Sequence, residues 1–432
     1  MKSPKIITDA SVKIDKLIPG GQGIGTIKDG MKGFFWNVLP GETVKEYEIT
    51  KQKSHYFEAI ALEIESPSNH RIEPKDSCYL STSPWQIMDY SYELEQKSQL
   101  LTEVLKQHKI DCSRAKQSAN SQFHVATDSK DFHYRNKMEY SLYYDFEDEK
   151  LHLAFRKRGT HRKIKVETSS IERPEIFEKA TEIIAKLNAE HADGRKYQSL
   201  LLRCNQAGKV EGGLFENHKP HPIFNNLADK ILEKTYSYSP NGFFQINLPV
   251  YEMALMEIKK YIKTEKVLDL YAGVGTIGLS VASDKNLTLV EVDKSAYAEL
   301  ERNCCIFNRG GSTRGTPSAL RAYGAKVMGD KSRQDPMLKI QSFLSKSEEA
   351  TDFIKPDQTV IVDPPRAGLD AKLVDKLLEI TPETIIYLSC NPVTQARDVK
   401  LLLEKYQIIK IQPFNFFPRT PHLENLIILA RK

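Results

Sequence analysis

The stretch Val267-Leu268-Asp269-Leu270-Tyr271-Ala272-Gly273-Val274-Gly275-Thr276 decides the fold of this chain. It is typical of a strand that runs into a glycine turn and opens a helix. Glycines at such a turn let the backbone approach a ligand closely, and the turn forms the floor of a nucleotide site. Glu291 follows about 20 residues after the first glycine, at a position where an acid hydrogen-bonds ribose hydroxyls. The stretch therefore predicts a nucleotide-binding α/β domain.

Two cofactors are compatible with this loop. The pattern Gly273-x-Gly275-x-x-Gly278 is the bare dinucleotide pattern, so the glycines alone leave NAD open. Asp269, at the end of the preceding strand, favours the other candidate. An acid at that position suits the cationic amino group of S-adenosylmethionine, whereas it would repel a pyrophosphate. We predict S-adenosylmethionine, with NAD as the alternative.

Strands and helices alternate through the C-terminal part of the chain, with the rhythm of a doubly wound sheet. The predicted strands are Lys266–Leu270, Leu287–Val292, Ala325–Met328, Thr359–Val362, Glu383–Leu388, Tyr406–Gln412 and Leu426–Ala430. The predicted helices are Thr276–Ala282, Ala296–Phe307, Lys372–Ile380 and Thr394–Lys405. Residues 310–324 are rich in Gly, Ser, Thr and Arg, and they are predicted to form a flexible insertion.

Reactive side chains stand near the predicted ends of these strands. Cys390 follows the apolar run Ile385–Leu388, and Asp363 precedes two prolines that would hold its loop rigid. Ligands collect beyond the carboxyl ends of strands in open α/β sheets, although free cysteines are also common as buried packing residues. Glu424 lies in an apolar segment, where loss of solvation would raise the pKa of its carboxyl group and favour a general base over a surface role.

The N-terminal segment, residues 10–66, alternates short β-rich runs with glycine turns. It includes Gly20-Gly21-Gln22-Gly23-Ile24-Gly25, the turn Leu39-Pro40-Gly41-Glu42 and the predicted strands Thr43–Lys51 and His55–Ile64. Short strands joined by tight turns predict a barrel, because closure removes exposed edges. The interleaved lysines and aromatics would give such a barrel a cationic groove with stacking platforms for unpaired bases. The alternative is an aromatic core with solvated lysines.

The middle of the chain has a different texture and is predicted to form a central α+β domain. Helical spacing occurs over Tyr90–Lys109, Pro174–Glu190 and Leu227–Lys234, and strands are predicted within His133–Lys157 and Ser199–Val210. The basic clusters Arg156-Lys157-Arg158 and His161-Arg162-Lys163 suit phosphate contacts, or alternatively form a solvated charged face. We predict three domains: residues 1–66 as the barrel, 67–240 as the central domain and 241–432 as the α/β domain.

The bulk properties describe a soluble globular chain. It has 432 residues, 40% of them hydrophobic, and a formal net charge of +5, which permits a polyanionic partner without requiring one. No apolar run approaches a membrane span, and the first residues lack the apolar core of a signal peptide. The 6 cysteines form no C-x-x-C pair, which favours reduced thiols and no zinc site. We predict a cytoplasmic monomer without a metal ion.

Four motifs together resemble the S-adenosylmethionine-dependent RNA uracil-5-methyltransferases. They are Asp363-Pro364-Pro365-Arg366-Ala367-Gly368, Ser389-Cys390-Asn391-Pro392, His422-Leu423-Glu424 and Phe244-Gln245-x-Asn247. The N-terminal segment resembles the TRAM domain, an RNA-binding barrel attached to several RNA-modifying enzymes. The resemblance covers nearly the whole chain, and it implies a Rossmann-like class I methyltransferase domain that acts on RNA.

The resemblance also implies roles for individual residues. Cys390 is similar to the family's nucleophile, which adds to C6 of uracil, and Glu424 to the base that later removes the C5 proton. Because a free thiol is only a few per cent ionised at neutral pH, we expect surroundings that favour the thiolate. The residues implied to line the cofactor and uracil pocket are Gln245, Tyr271, Gly273, Gly275, Thr276, Glu291, Asp330 and Asp363.

One departure from the family concerns iron. Many relatives carry a four-cysteine iron–sulfur cluster in the central domain. Here only Cys78 lies near the expected place, and Ser81, Ser83 and Ser169 stand where sulfur ligands would be expected. We therefore predict that this chain has no cluster.

Three functions remain to be compared: an RNA uracil-5-methyltransferase, a non-catalytic RNA-binding protein and a Rossmann-type dehydrogenase. Only the first needs Cys390, Glu424 and the glycine loop together, and we predict that function. The predicted substrate is 23S ribosomal RNA, because TRAM-bearing bacterial relatives commonly act on large-subunit RNA. The T-loop uridine of tRNA is the alternative.

Overall fold

Three β-sheets and one β-hairpin follow one another along the chain. The structure is a computed structural model, and it describes residues 5–27, 29–111, 123–193, 196–216, 219–221, 224–308 and 339–432. Within these ranges no helix is both long and apolar enough to cross a membrane.

The first sheet closes into a small barrel. Its strands are β1 (Lys5–Ile7), β2 (Val12–Leu17), β3 (Gly23–Thr26), β4 (Lys32–Trp36), β5 (Thr43–Gln52) and β6 (Tyr56–Ser66). The order β5-β2-β3-β4-β6 returns to β5 through a β5–β6 pairing, and β1 also pairs with β5. Ile14, Phe35 and Phe57 are buried in its interior. The barrel predicted from the glycine-punctuated strands is confirmed.

The turn Leu39-Pro40-Gly41-Glu42 fastens the barrel to the chain that leaves it. The buried carboxylate of Glu42 accepts hydrogen bonds from Nε and Nη2 of Arg71, each at 2.7 Å. It also accepts the backbone N–H groups of Leu39 at 2.7 Å and Ser68 at 3.0 Å. A bidentate pair between arginine and a carboxylate fixes orientation as well as distance. The barrel is therefore held by a directional contact.

Part of the basic cluster Arg156-Lys157-Arg158 joins the barrel to the central region. The guanidinium of Arg158 lies 4.1 Å from the centre of the Trp36 ring. The ammonium of Lys157 forms an ion pair of 3.0 Å with Glu48 on β5. Arg158 and Lys157 therefore have partners in the barrel, so this part of the basic cluster has a structural role.

The second sheet and its helices form the central region. The helices are α1 (Tyr79–Thr82), α2 (Tyr90–Gln107) and α3 (Pro174–Ala189). The strands are β7 (Lys137–Asp145), β8 (Lys150–Arg156), β9 (Lys163–Lys165), β10 (Tyr197–Cys204), β11 (Val210–Glu216) and β12 (Lys219–His221), in the order β12-β11-β10-β7-β8-β9. The predicted helices over Tyr90–Lys109 and Pro174–Glu190 match α2 and α3.

The predicted helix Leu227–Lys234 is wrong. The segment forms the antiparallel hairpin of β13 (Leu227–Ile231) and β14 (Lys234–Tyr238). Leu227 and Ile231 are spaced as on a helix, but they also point to one face of a strand together with Asp229. The hydroxyl of Tyr238 donates a hydrogen bond to the carboxylate of Asp229, which allows this acid to be buried. Because an acid occupies a buried position, the alternation of apolar and polar residues that marks a strand is hidden in the sequence.

Seven strands of the third sheet lie within the described residues. They are β15 (Lys266–Leu270), β16 (Asn286–Glu291), β17 (Ile340–Leu344), β18 (Gln358–Val362), β19 (Thr384–Ser389), β20 (Tyr406–Phe414) and β21 (Glu424–Arg431), in the order β17-β16-β15-β18-β19-β21-β20. The helices are α4 (Leu248–Lys259), α5 (Thr276–Ala282), α6 (Lys294–Asn308), α7 (Ala371–Ile380) and α8 (Pro392–Leu402). Strands β15 to β19 are parallel, whereas β21 is antiparallel to both its neighbours.

The predicted fold class, an α/β sheet preceded by a barrel and an α+β region, is confirmed. Two elements of the C-terminal region were not predicted: β17, which is the edge strand of the third sheet, and helix α4. The predicted strand Ala325–Met328 and the predicted insertion at 310–324 lie outside the described residues. The three domain boundaries remain predictions.

A buried polar network joins helix α2 to the segment before β21. Glu93 and Lys97, one turn apart on α2, form a fully buried ion pair of 2.8 Å. Lys97 Nζ also donates to Asn415 Oδ1 at 2.6 Å, and the backbone N–H of Arg419 donates to both carboxylate oxygens of Glu93. Each charge thus has several partners, which a buried ion requires. The network connects residues more than 300 positions apart in sequence.

We expect Lys97→Met to lower the free energy of unfolding by about 3–5 kcal/mol, because it leaves the Glu93 carboxylate buried without its ammonium partner. Urea unfolding followed by circular dichroism measures the change. The matched control is Lys376→Met, which removes an exposed i,i+3 pair with Glu379 and should change stability by less than about 1 kcal/mol. Equal losses in the two variants would contradict the structural role of the network.

Candidate active site

The pairing of β19 with β21 brings Cys390 and Glu424 to the same edge of the sheet. The register places Ser389 opposite Asn425, so the residue after β19 and the first residue of β21 are neighbours. Cys390 is half-buried and follows the strand directly. Glu424 is buried and begins β21, two residues earlier than the predicted start of that strand. The sheet therefore sets the relation between the thiol and the carboxyl group.

Two side-chain amides lock this pairing. Gln395 on α8 donates through Nε2 to the carbonyl oxygens of Tyr387 and Asn425, both at 2.9 Å. Asn425 returns a hydrogen bond from Nδ2 to Gln395 Oε1 at 2.7 Å. All three residues are buried, so water does not compete with these bonds. The clamp fixes α8, β19 and β21 to one another next to Cys390 and Glu424.

The loop Asp363-Pro364-Pro365-Arg366 is tied to the same place. Asn391 Nδ2 and Thr394 Oγ1 donate to the carbonyl oxygen of Arg366, at 2.8 and 3.1 Å. Farther along the loop, the backbone N–H of Leu369 donates to Asp398 Oδ2 at 2.8 Å. These contacts come from the start of α8, so the loop with Asp363 moves together with the segment that carries Cys390.

The charge environment of the site is dominated by buried acids. Burial raises the pKa of Glu424 well above its usual range, and the neighbouring Asp363 raises it further. The pKa of Asp363 is raised as well, by loss of solvation. Glu424 Oε2 is buried, and among the described residues it has no hydrogen-bond partner. The pKa of Glu424 is therefore raised by burial, as expected, but its surroundings also contain the charged groups Asp363 and Arg366.

The thiol of Cys390 differs from the expectation. Burial raises its pKa to about 11, and the carboxyl groups of Glu424 and Asp363 raise it too, while Arg366 acts in the opposite direction. The free protein therefore holds the thiol protonated at neutral pH. The predicted thiolate-favouring surroundings are absent from this state, because burial and the two neighbouring acids together outweigh the effect of Arg366 on the thiol.

The glycine turn after β15 is shaped by two acids. Glu291 Oε2 accepts the backbone N–H of Gly273 at 2.7 Å, and Asp269 Oδ2 accepts that of Gly278 at 2.8 Å. Gly273 has a φ of +58°, and a Cβ added there would meet no atom within 4 Å. A ligand could approach the backbone at that point without a side chain in its way.

Asp269 lies in a different electrostatic state from the one predicted. Burial raises its pKa to about 8, and Asp363 and Glu291 act in the same direction. Its Oδ1 atom is buried and has no hydrogen-bond partner among the described residues. The acid is therefore largely neutral in the free protein at neutral pH, and a nearby cation would lower its pKa again.

Tyr271 and Thr276 lie on either side of the glycine turn. Tyr271 has a φ of +63°, a strained value for a side chain of this size. Thr276 is buried, and its hydroxyl is within 2.8 Å of the hydroxyl of Tyr251 on α4. Burial raises the pKa of Tyr271 to about 12, so its ring presents a neutral hydroxyl.

Gln245 is held through its backbone by the central region. Asn136 Nδ2 donates to the carbonyl oxygen of Gln245 at 3.0 Å, and Arg203 Nη2 donates to that of Phe244 at 2.9 Å. Gln245 is buried, and within the described part of the chain no hydrogen bond engages its side-chain amide. The amide therefore keeps its donors and acceptor for a ligand.

Asp363 lies between the two halves of the site. It raises the pKa of Glu424 on one side and of Asp269 on the other, so the thiol, the base candidate and the glycine turn belong to one electrostatic unit. Asp330 lies outside the described residues. The positioning residues that were not predicted are Arg366, Gln395, Asp398, Asn425 and Tyr251. Gln395 and Asp398 are polar residues three apart on α8, and nothing in the local sequence marks them as buried.

Comparisons with known proteins find one matching family and several related chains. The sequence profile of the family described as tRNA (Uracil-5-)-methyltransferase matches residues 349–432, which include Asp363, Cys390 and Glu424. An uncharacterized RNA methyltransferase of Bacillus cereus is 26% identical over 475 residues, covering 98% of this chain and 96% of the relative. An uncharacterized RNA methyltransferase of Nanoarchaeum equitans is 33% identical over 209 residues, covering 48% of this chain and 40% of the relative.

The fold has a counterpart among solved structures. The crystal structure of a Pyrococcus abyssi tRNA (uracil-54, C5)-methyltransferase in complex with S-adenosyl-L-homocysteine has a TM-score of 0.69 and 23% sequence identity. The match covers 97% of this chain and 100% of that chain. Residues 349–432 thus match the tRNA (Uracil-5-)-methyltransferase family, nearly the whole chain is similar to proteins described as RNA methyltransferases, and the fold is similar to that of the Pyrococcus abyssi enzyme.

We expect Glu424→Gln to lower the pKa of the Cys390 thiol, because the substitution removes one of the two acids that raise it. Alkylation by iodoacetamide, measured against pH on the Cys390 peptide, should reach half of its maximal rate at a lower pH than in the wild type. Burial, the largest cause, remains, so the shift is partial.

The matched control for this measurement is Glu404→Gln, an exposed acid outside the site, which should leave the midpoint unchanged. A midpoint that does not move in Glu424→Gln would contradict the electrostatic coupling of the two groups.

Proposed function

We propose that this protein transfers a methyl group from S-adenosylmethionine to C5 of a uridine in structured RNA, through a covalent Cys390 adduct resolved by Glu424. The observation that supports the proposal most strongly is the convergence of Cys390, Glu424 and Asp363 at one sheet edge. A thiol beside a buried carboxyl group with a raised pKa supplies a nucleophile and a proton acceptor in one place.

The residue types match the needs of the reaction. Uracil C5 is a poor nucleophile, so the Cys390 thiolate first adds to C6, and the C5=C6 π electrons move toward the C4 oxygen. C5 of this enolate would then take the methyl group as the sulfonium S–CH3 bond breaks and its electrons stay on sulfur, while the C4 carbonyl re-forms. Glu424 removes the C5 proton, the C–H electrons restore the C5=C6 bond, and the S–C6 bond breaks to release the thiolate. Burial and the neighbouring Asp363 raise the pKa of Glu424, which makes its carboxylate a stronger proton acceptor for this step.

The glycine turn and its acids fit S-adenosylmethionine. When bound, this cofactor supplies a methyl group on a positively charged sulfonium, together with a cationic amino group. Asp269 Oδ1 is buried and lacks a partner, and three acids of the site have raised pKa values. A buried acid in that state is stabilised by an added positive charge. NAD would instead bring a pyrophosphate against Asp269.

The same electrostatics account for activation of the thiol. Glu424 and Asp363 raise the pKa of Cys390, so a cation bound among them would weaken that effect and favour the thiolate. Arg366 already acts in this direction. The nucleophile would therefore be formed when the cofactor is in place, which protects the free protein from unwanted alkylation or oxidation.

Each of the two candidate RNA substrates is supported by a different observation. The family resemblance of the barrel-containing sequence predicts 23S ribosomal RNA. The descriptions of the matching family and of the Pyrococcus abyssi structure both mention tRNA. They favour the T-loop uridine of tRNA as the second candidate. In either RNA the target base has to leave its stack to reach Cys390. We propose a cytoplasmic, monomeric enzyme in both cases.

The proposal is tested with 5-fluorouracil-containing 23S RNA and tRNA in the presence of S-adenosylmethionine. Fluorine at C5 cannot leave as a proton, so an adduct with Cys390 should accumulate on the true substrate and be visible by denaturing electrophoresis. Glu424→Gln should also trap an adduct on ordinary uracil RNA. Cys305→Ala, a half-buried cysteine on α6, serves as the control and should react as the wild type does.

An adduct on ribosomal RNA alone, or on tRNA alone, identifies the substrate. The mechanism is rejected if Cys390→Ala still forms the adduct, or if neither RNA forms one.

We also propose that the central region holds no iron–sulfur cluster. Ser83 Oγ accepts a hydrogen bond from Gln86 Nε2 at 2.7 Å, and Ser169 Oγ donates to Glu172 Oε2 at 2.6 Å. Burial raises the pKa of Cys78 to about 12, which disfavours the thiolate that iron requires. The hydrogen bonds of Ser83 and Ser169 therefore stabilise the region in which related chains place sulfur ligands.

Protein purified without oxygen should contain no stoichiometric iron and no absorption band in the visible range. Cys78→Ser should leave the absorption spectrum unchanged. Stoichiometric iron that is lost in Cys78→Ser would refute this proposal.

A further inference from the structure

The glycine loop of the barrel packs directly against the segment that leads to Glu424. A Cβ added at Gly21 would lie 2.4 Å from Cβ and 2.6 Å from Cγ of Pro421. Real Cβ atoms do not approach other atoms so closely, and the proline ring cannot rotate away. The neighbouring Gly20 has a similar φ, +101° compared with +96° at Gly21. A Cβ added at Gly20, however, would meet no atom within 4 Å.

Trp85 holds both sides of this contact. Its ring nitrogen Nε1 donates to the carbonyl oxygen of Gly21 at 3.2 Å. Its backbone N–H donates to the carbonyl oxygen of Arg419 at 3.0 Å. Trp85 is buried, with 1% of its surface exposed. It therefore cannot move with the barrel loop without also displacing the segment before Glu424. The barrel loop and the segment before Glu424 are thus joined through one rigid side chain.

The segment before Glu424 is also held firmly from its other side. Arg419 has a φ of +62°, and its guanidinium donates to the carbonyl oxygen of Met88 at 2.6 Å. Thr420 Oγ1 donates to the carbonyl oxygen of Phe417 at 2.7 Å and accepts the backbone N–H of His422 at 3.3 Å. A displacement at Pro421 is therefore passed along a short, bonded chain toward Glu424.

We propose that Gly21 is a positioning residue for Glu424, and that the barrel thereby contributes to proton removal from C5. Gly21 allows Pro421 to approach the barrel, and this approach sets where β21 begins. The inference rests on the proposed role of Glu424 as the base. It assigns to the barrel an effect on the chemical step, in addition to any contact between the barrel and RNA.

The test compares Gly21→Ala with Gly20→Ala. Both substitutions place alanine at a positive φ, +101° at Gly20 and +96° at Gly21, so each introduces backbone strain. Only Gly21→Ala introduces a collision with Pro421. Initial rates of methyl transfer to the RNA that forms the fluorouracil adduct give kcat and KM for each variant. Thermal unfolding followed by circular dichroism shows whether each variant is folded.

We expect kcat of Gly21→Ala to be about 10-fold to 100-fold below that of Gly20→Ala, with KM for RNA within about twofold, because a small misplacement of a reacting group has an effect of this size. The covalent adduct on ordinary uracil RNA should accumulate in Gly21→Ala, since its formation needs Cys390 and its resolution needs Glu424. A loss of packing alone would not produce that accumulation.

The double variant Gly21→Ala with Pro421→Gly removes the collision and should recover kcat to within about threefold of Pro421→Gly alone. This pair decides the question if Gly21→Ala is unfolded. The inference is overturned if Gly21→Ala equals Gly20→Ala, if its KM rises while kcat is unchanged, or if the double variant shows no recovery. A wild-type protein that forms no fluorouracil adduct would instead overturn the proposed function.

Discussion

The antiparallel pairing of β19 with β21 is the constraint on which the site depends. In a purely parallel sheet, the two strands would deliver their carboxyl ends to one edge, and Glu424 at the start of β21 would lie at the opposite edge from Cys390. Reversal of β21 brings its first residue beside the last residue of β19. Gln395 and Asn425 then fix the register at a buried position. A shift of the register by one residue would turn Glu424 to the other face of the sheet.

Concentrating acids in this site has an electrostatic cost. Asp269, Asp363 and Glu424 all have raised pKa values, so the folded protein keeps carboxyl groups in a state that water would not favour. Functional sites commonly retain such strain while the surrounding structure maintains the fold. Here the surroundings are the α8 clamp and the network of Glu93 and Lys97, in which every buried charge has a partner.

Local patterns in the sequence predicted six of the seven described strands of the third sheet and the two long helices of the central region, because long apolar runs and helical spacing leave few alternatives. The hairpin at Leu227 was missed because Asp229 is buried against Tyr238 on the opposite strand of the same hairpin, which hides the strand alternation. The Gln395 clamp depends on a strand register, and the raised pKa of Cys390 depends on charges from separate segments. Such properties arise only when distant segments meet, so local patterns do not contain them.

The link between helix α2 and Asn415 also orders the assembly of the protein in time. Its partners are separated by 318 positions, so the helix forms its buried contacts only after the central and third sheets have been brought together. Contacts of such sequence separation form late in folding, because the closure entropy of the intervening chain has to be overcome first. Glu424, the proposed base, therefore follows a segment that is fixed to the central region only in a nearly complete protein.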